Sequence, residues 1–171
     1  MIHKLFWGGI LHPTRRRLDD RDLQEYIRQR KIDATIYYFE KHTMTVDSAV
    51  EQMDVAKDVI VKSILVFNER EEPYVVFVNG DRRVSFEKLA QLTNSRAIRM
   101  AKAREVKEVL GYEVGGVPPI YYRRNVTSIV DRRLLNYDFV VGGGGSTHAL
   151  LKIRPEDIVC LNNAVVADVS E

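Results

Sequence analysis

Residues 59–67 read VIVKSILVF. In an extended strand successive side chains point to opposite faces. Ile60, Lys62, Ile64 and Val66 therefore share one face, and Val61, Ser63, Leu65 and Phe67 share the other. Both faces are apolar, the pattern of a strand covered above and below. Lys62 is the exception in the run. It either snorkels from the strand end or sits in a pocket with a partner, because lysine is seldom fully buried unpaired.

Working outward, the flanking segments supply the covering layers. Asp19 or Asp20 can cap a helix through RDLQEYIRQRK, with Leu23, Tyr26 and Ile27 on one stripe. ATIYYFEK reads as a strand, and SAVE (Ser48 to Glu51) as a capping box opening a short helix. Downstream, PYVVFVNGDRRVS gives a strand ending at an Asn79–Gly80 turn, SFEKLAQLTNS a helix and AIRMA a short strand. AREVKEVLG is a helix closed by Gly111, and YEVGGVPPIYY a loop. TSIVDRRLLN and YDFVVGGGGSTHALLKI read as strands, PEDIVCL as a helix with Pro155 at its first position, and AVVADVS as a final strand. Irregular alternation with strand pairs predicts a single α/β (α+β) domain. It would have a mixed β-sheet or partial barrel with packed helices. Residues 1–18, with Leu5, Phe6 and Trp7 as an anchor, read as an N-terminal extension to a domain over 19–171.

The run Gly142–Gly145 has the composition of a flexible linker. Only residues 146–171 follow it, too few for a second core. It also joins two strand patterns, FVV and HALLKI. A hairpin turn and a backbone-lined ligand loop remain. Glycine runs recur where ligand oxygens meet backbone N–H groups, and four glycines cost more conformational entropy than a turn requires.

The 171 residues fit one domain; they are 45% hydrophobic and 29% charged, with a formal net charge of +2. That charge is too small for whole-surface nucleic-acid binding, but the basic residues are grouped, Arg123/Arg124 and Arg132/Arg133 among them. The lone Cys160 excludes an internal disulfide and a Cys-rich zinc site; its apolar neighbours suggest a buried, inert thiol. No apolar run approaches the ~18 residues of a membrane span, and the start lacks signal-peptide order, so a cytoplasmic protein is expected. No phosphate-loop, dinucleotide, zinc-protease or serine-hydrolase motif is present, and neither cofactor nor metal is expected. GGVPP (Gly115 to Pro119) alone is a rigid turn, and His148 alone a structural histidine.

Taken together and in order, IVKSILVF, GYEVGGVPPI, VVGGGGSTHALLKIRPEDIV and VVADVS resemble the YbaK/prolyl-tRNA editing deacylase family, from about Leu23 to the C-terminus. The resemblance implies a metal-independent hydrolase of mischarged aminoacyl-tRNA acting in trans, with a small amino acid on tRNA-Pro as substrate. The tRNA 3′ end and prolyl-tRNA synthetase are its implied partners. The family's strand lysine falls on Lys62, its proline loop on Gly115, Gly116, Val117, Pro118 and Pro119, and its glycine loop on Gly142, Gly143, Gly144, Gly145 and Ser146. Its histidine falls on His148. Lys62, Gly116 and His148 would be catalytic, the rest of both loops would bind substrate, and Arg123 and Arg124 would contact tRNA. Family members commonly carry Gly where Tyr121 stands, so a narrower pocket rim is expected. The competing class is a non-catalytic tRNA-end or nucleotide-binding module of the same fold.

Overall fold

The structure, a computed structural model, describes residues 16–171. The Leu5, Phe6 and Trp7 anchor lies outside them. Helix α1 (Asp20–Arg30) begins at Asp19, whose carboxylate accepts from the Arg21 and Asp22 N–H groups while Asp22 bonds back to the Asp19 N–H. Leu23 and Ile27 form its buried stripe. Strand β1 (Ala34–Tyr38) and helix α2 (Val46–Met53) follow. A 3-10 turn (Lys57–Val59) leads into β2 (Val61–Asn68), then β3 (Pro73–Asn79). Next come α3 (Phe86–Leu92), β4 (Ile98–Met100) and α4 (Ala103–Val109). The remainder is β5 (Thr127–Asp131), β6 (Val140–Gly143), β7 (Ala149–Ile153), α5 (Pro155–Asn162) and β8 (Val165–Ala167).

Five strands in the order β4-β2-β3-β5-β8 make a mixed sheet, antiparallel at β4-β2-β3 and parallel at β3-β5-β8. The order β1-β7-β6 makes a smaller antiparallel sheet. One isolated parallel bridge, Ile60–Val141, joins β6 to the start of β2. The alternation read from VIVKSILVF holds. Val61, Leu65 and Phe67 pack into a core with residues of α1, α4 and α5, while Val66 packs with Leu89 of α3 beneath the opposite face. Each such aliphatic side chain contributes about 1.5–3 kcal/mol on burial.

Three expectations change. The capping box of α2 is Thr45 with Ser48, three residues earlier than SAVE; Thr45 Oγ1 accepts from the Ser48 N–H, and the Thr45 N–H donates back to Ser48 Oγ. The strand TSIVDRRLLN ends at Asp131, because its carboxylate accepts the Arg133 N–H and starts a 3-10 turn over Arg132–Asn136. Cys160 is exposed. It lies two residues from the buried Ile158, about 200° round the helix.

Candidate active site

The site is a gap in the larger sheet. Backbone N–H and C=O groups alternate sides along an antiparallel strand. Gly80 N–H donates to Ile60 O at 2.8 Å, so the backbone of Ile60, Lys62 and Ile64 faces β3. That of Val61, Ser63 and Leu65 faces the opposite edge, where Leu65 O accepts from Ala101 N–H at 3.0 Å. On this edge β6 meets the strand only at the Ile60–Val141 bridge, and β4 pairs with it only from Val66 onward.

Between those two contacts opens a cleft of about 350 Å³. Its floor is the unbroken run Ile60 to Leu65. Residues of both strand faces line it, which identifies an opening at a strand edge. Val141, Gly142 and Gly143 form one wall, and Met100, Ala101 and Val106 another. Met44, Val114, Gly115 and Val117 stand over it.

Lys62 is the single charged residue lining this cleft. Its side chain is half-buried, and the ammonium donates to the Arg82 carbonyl. Burial pulls its pKa below the usual lysine range; nearby Lys57 adds to the drop and Asp81 opposes it. Among the described residues no carboxylate lies within ion-pair distance of it.

The family model of the aminoacyl-tRNA editing domain matches residues 40–161. The chain belongs to that family. An Enterococcus faecalis protein named "Putative Cys-tRNA(Pro)/Cys-tRNA(Cys) deacylase EbsC" is 22% identical over 147 residues, covering 84% of this chain and 89% of that one. A proline–tRNA ligase of Thermosipho africanus is 34% identical over 112 residues, which are 64% of this chain and 19% of the ligase. A crystal structure titled as a "putative trans-editing enzyme for prolyl tRNA synthetase" superposes with TM-score 0.81 at 29% identity, covering 89% and 96% of the two chains.

In this editing domain the two glycine-containing loops are stacked. Gly145 N–H donates to Gly116 O at 2.9 Å, and a Cβ on Gly116 would lie 2.8 Å from the Ser146 carbonyl carbon. Glycine is required at Gly143, where any Cβ would collide with the Val117 carbonyl. It is required again at Gly145, with φ +94° and the Asp20 backbone 2.8 Å from its would-be Cβ.

Of the residues singled out from sequence, Lys62, Gly115, Val117, Gly142 and Gly143 line the cleft. Gly116, Pro118, Pro119, Gly144, Gly145 and Ser146 are not among the lining residues. Pro118 O accepts from the Tyr122 hydroxyl at 2.7 Å and Pro119 O from Asn162 at 2.8 Å, which fixes the proline loop. His148 is not brought to the cleft. It sits exposed in the hairpin turn, its Nδ1 3.0 Å from Thr147 Oγ1. Arg123 and Arg124 are also off the lining; the Arg123 guanidinium is bound to the carbonyls of Lys107 and Arg16.

The expected narrowing by Tyr121 is not found. The residue adopts φ +66°, the region glycine favours, and its ring stacks on Tyr26 of α1 at 4.4 Å, away from the cleft. Sequence reading missed Met44, Thr45, Met100 and Val106 on the cleft wall. One signal was available: Met44 interrupts the polar stretch KHTMTVD. Met44 and Met100 are 49% and 53% exposed beside the cleft, so their apolar surface is not there to fill a core.

Proposed function

We propose that this editing domain acts in trans on mischarged tRNA, hydrolysing the ester between a small amino acid and the terminal ribose. The observation that carries the reading is Lys62: a half-buried lysine in the lining of a cleft that, among the described residues, holds no carboxylate. Such a cation complements the phosphate or ribose of a nucleotide end and orients the ester as a point charge. Gly143, at the point where β6 parts from β2, would direct its N–H toward the developing oxyanion. Among the described residues no cysteine, histidine or carboxylate lines the cleft. Activation of the attacking water then falls to the neighbouring ribose hydroxyl of the substrate itself.

The apolar lining suits an uncharged acyl side chain such as that of alanine, cysteine or proline, with discrimination of roughly 10–200-fold per methylene. The likeness to proline–tRNA ligases supports tRNA-Pro as the carrier and prolyl-tRNA synthetase as a working partner, in the compartment where tRNA is charged. The test is incubation with Ala-, Cys- and Pro-charged tRNA-Pro and with correctly charged controls. Accelerated release from at least one mischarged species is expected. Binding without acceleration on every species would return the reading to a tRNA-end binding module.

A further inference from the structure

We propose that the open backbone edge of β2 at Ser63 is the subsite for the α-ammonium group of the bound aminoacyl ester. This editing domain would therefore take unblocked aminoacyl esters and refuse deaminated or N-acylated ones. The inference rests on the deacylase reading above and adds to it the chemical class of the acyl group.

Hydrogen-bonded pairing of Ile60 with Gly80 turns the Ser63 N–H and C=O away from β3. On the side they face, the Ile60–Val141 bridge lies three residues back and the Ala101–Leu65 bond two residues ahead. Among the described residues no strand is registered against Ser63 there, and Ser63 lines the cleft. Had the parallel pairing of β6 with β2 continued by one step, Gly143 would have been placed against Lys62. It does not continue, and the cleft lies where that step would be.

An α-ammonium carries three N–H donors and a charge. Moved from water into a largely apolar cleft, it needs acceptors. The lining offers no carboxylate. Thr43 Oγ1 is held by the carbonyls of Thr147 and Ala149, and Thr45 Oγ1 by the α2 cap. The Ser63 side chain is not the reader either, since its Oγ is buried beside the Tyr122 hydroxyl. What remains is main chain, and the Ser63 carbonyl stands in the middle of the unpaired stretch. A site that depends on hydrogen bonds from a substrate group rejects analogues lacking it by far more than a methylene's worth.

The test compares three esters on one tRNA, made from the amino acid the protein releases fastest: free aminoacyl, N-acetyl-aminoacyl, and the 2-hydroxyacyl ester with the same side chain (for proline, the tetrahydrofuran-2-carbonyl ester). Each single-turnover rate is divided by that ester's spontaneous hydrolysis rate. The expected result is a loss of at least about 100-fold for both modified esters. A 2-hydroxyacyl ester accelerated within about threefold of its parent overturns the proposal, even if the N-acetyl ester is refused, because refusal is then steric. Failure to release any free aminoacyl group overturns the deacylase reading first and this one with it. A second readout is independent of catalysis. The Ser63 amide resonance should shift with 3′-deoxy-3′-(alanylamino)adenosine and not with its lactyl counterpart; equal shifts would contradict the proposal.

Discussion

Two cations, one on the larger sheet and one just beyond the end of its strand β5, live under opposite conditions. Arg133, beyond the end of β5, reaches Asp131 at 3.3 Å and Asp168 at 2.8 Å, and Lys88 holds Asp168 from the other side at 3.0 Å. Asp131 is fully buried and also accepts the N–H groups of Arg133 and Val169. Lys62 has one carbonyl and no carboxylate. The first arrangement is closed, with each charge answered within the fold, and it pins the C-terminal segment to the sheet. The second belongs to a residue that lines a cleft, and an anionic or polar ligand there would complete it. Charge at a sheet is thus a stabilising device in one place and a binding device in the other.

The largest effect that would break this contrast lies at the closed end. Asp131→Ala leaves Arg133 short of a partner and two N–H groups unanswered, so a loss of about 3–5 kcal/mol is expected by urea unfolding. Lys62→Met in the same assay should lie within about 1 kcal/mol of the native protein or above it, because burial works against the Lys62 charge. A large loss at Lys62 and none at Asp131 would reverse the comparison.

Next is the cleft wall. Gly143→Val forces a Cβ into the Val117 carbonyl and displaces the strand end facing the substrate. A fall of about 100-fold in kcat/KM is expected, read against a thermal melt that separates misplacement from unfolding.

A smaller, pH-dependent effect sharpens the closed network. Hydrogen bonds from Arg133, then Lys88, bring the Asp168 carboxyl down to about 2. Its folded pKa lies below the unfolded value of about 3.9. Its contribution is therefore complete above that value and is lost as pH falls through about 2. Asp168→Asn should flatten the stability–pH curve between those limits, and an unchanged slope would show that the network is not what titrates.

The smallest effect separates the paired arginine from its neighbour. Arg124 is exposed and makes no hydrogen bond or ion pair among the described residues, whereas Arg123 is bound to two carbonyls. If Arg124 contacts a phosphate, Arg124→Ala should reduce the salt slope of tRNA binding by about 0.9, and Arg123→Ala should leave that slope unchanged.

The sequence made the floor of the site legible and most of its walls illegible. The alternation of VIVKSILVF is local, so the two-sided burial of β2 and the anomaly of Lys62 could both be read from nine residues. The gap beside them arises because β6, some 80 residues away, leaves β2 after one bridge, and no local pattern encodes that divergence. The cap of α2 was misplaced because Thr45 and Ser48 have the same capping chemistry, and only the geometry distinguishes cap from reciprocating partner. Tyr121 looked like a pocket residue because it replaces a glycine; its left-handed backbone explains why glycine suits the position, and the Tyr26 stack says where the added ring goes.

The most direct test of the central claim is single-turnover hydrolysis of the preferred mischarged tRNA by the native protein and by Lys62→Ala, with the melting temperature of each. An equal melting temperature with a rate at least about 100-fold lower is the expected result, the scale of removing one charge stabiliser from a reacting centre. A Lys62→Ala protein that melts normally and hydrolyses at the native rate would contradict the account, because the open cation would then serve no ligand in that cleft.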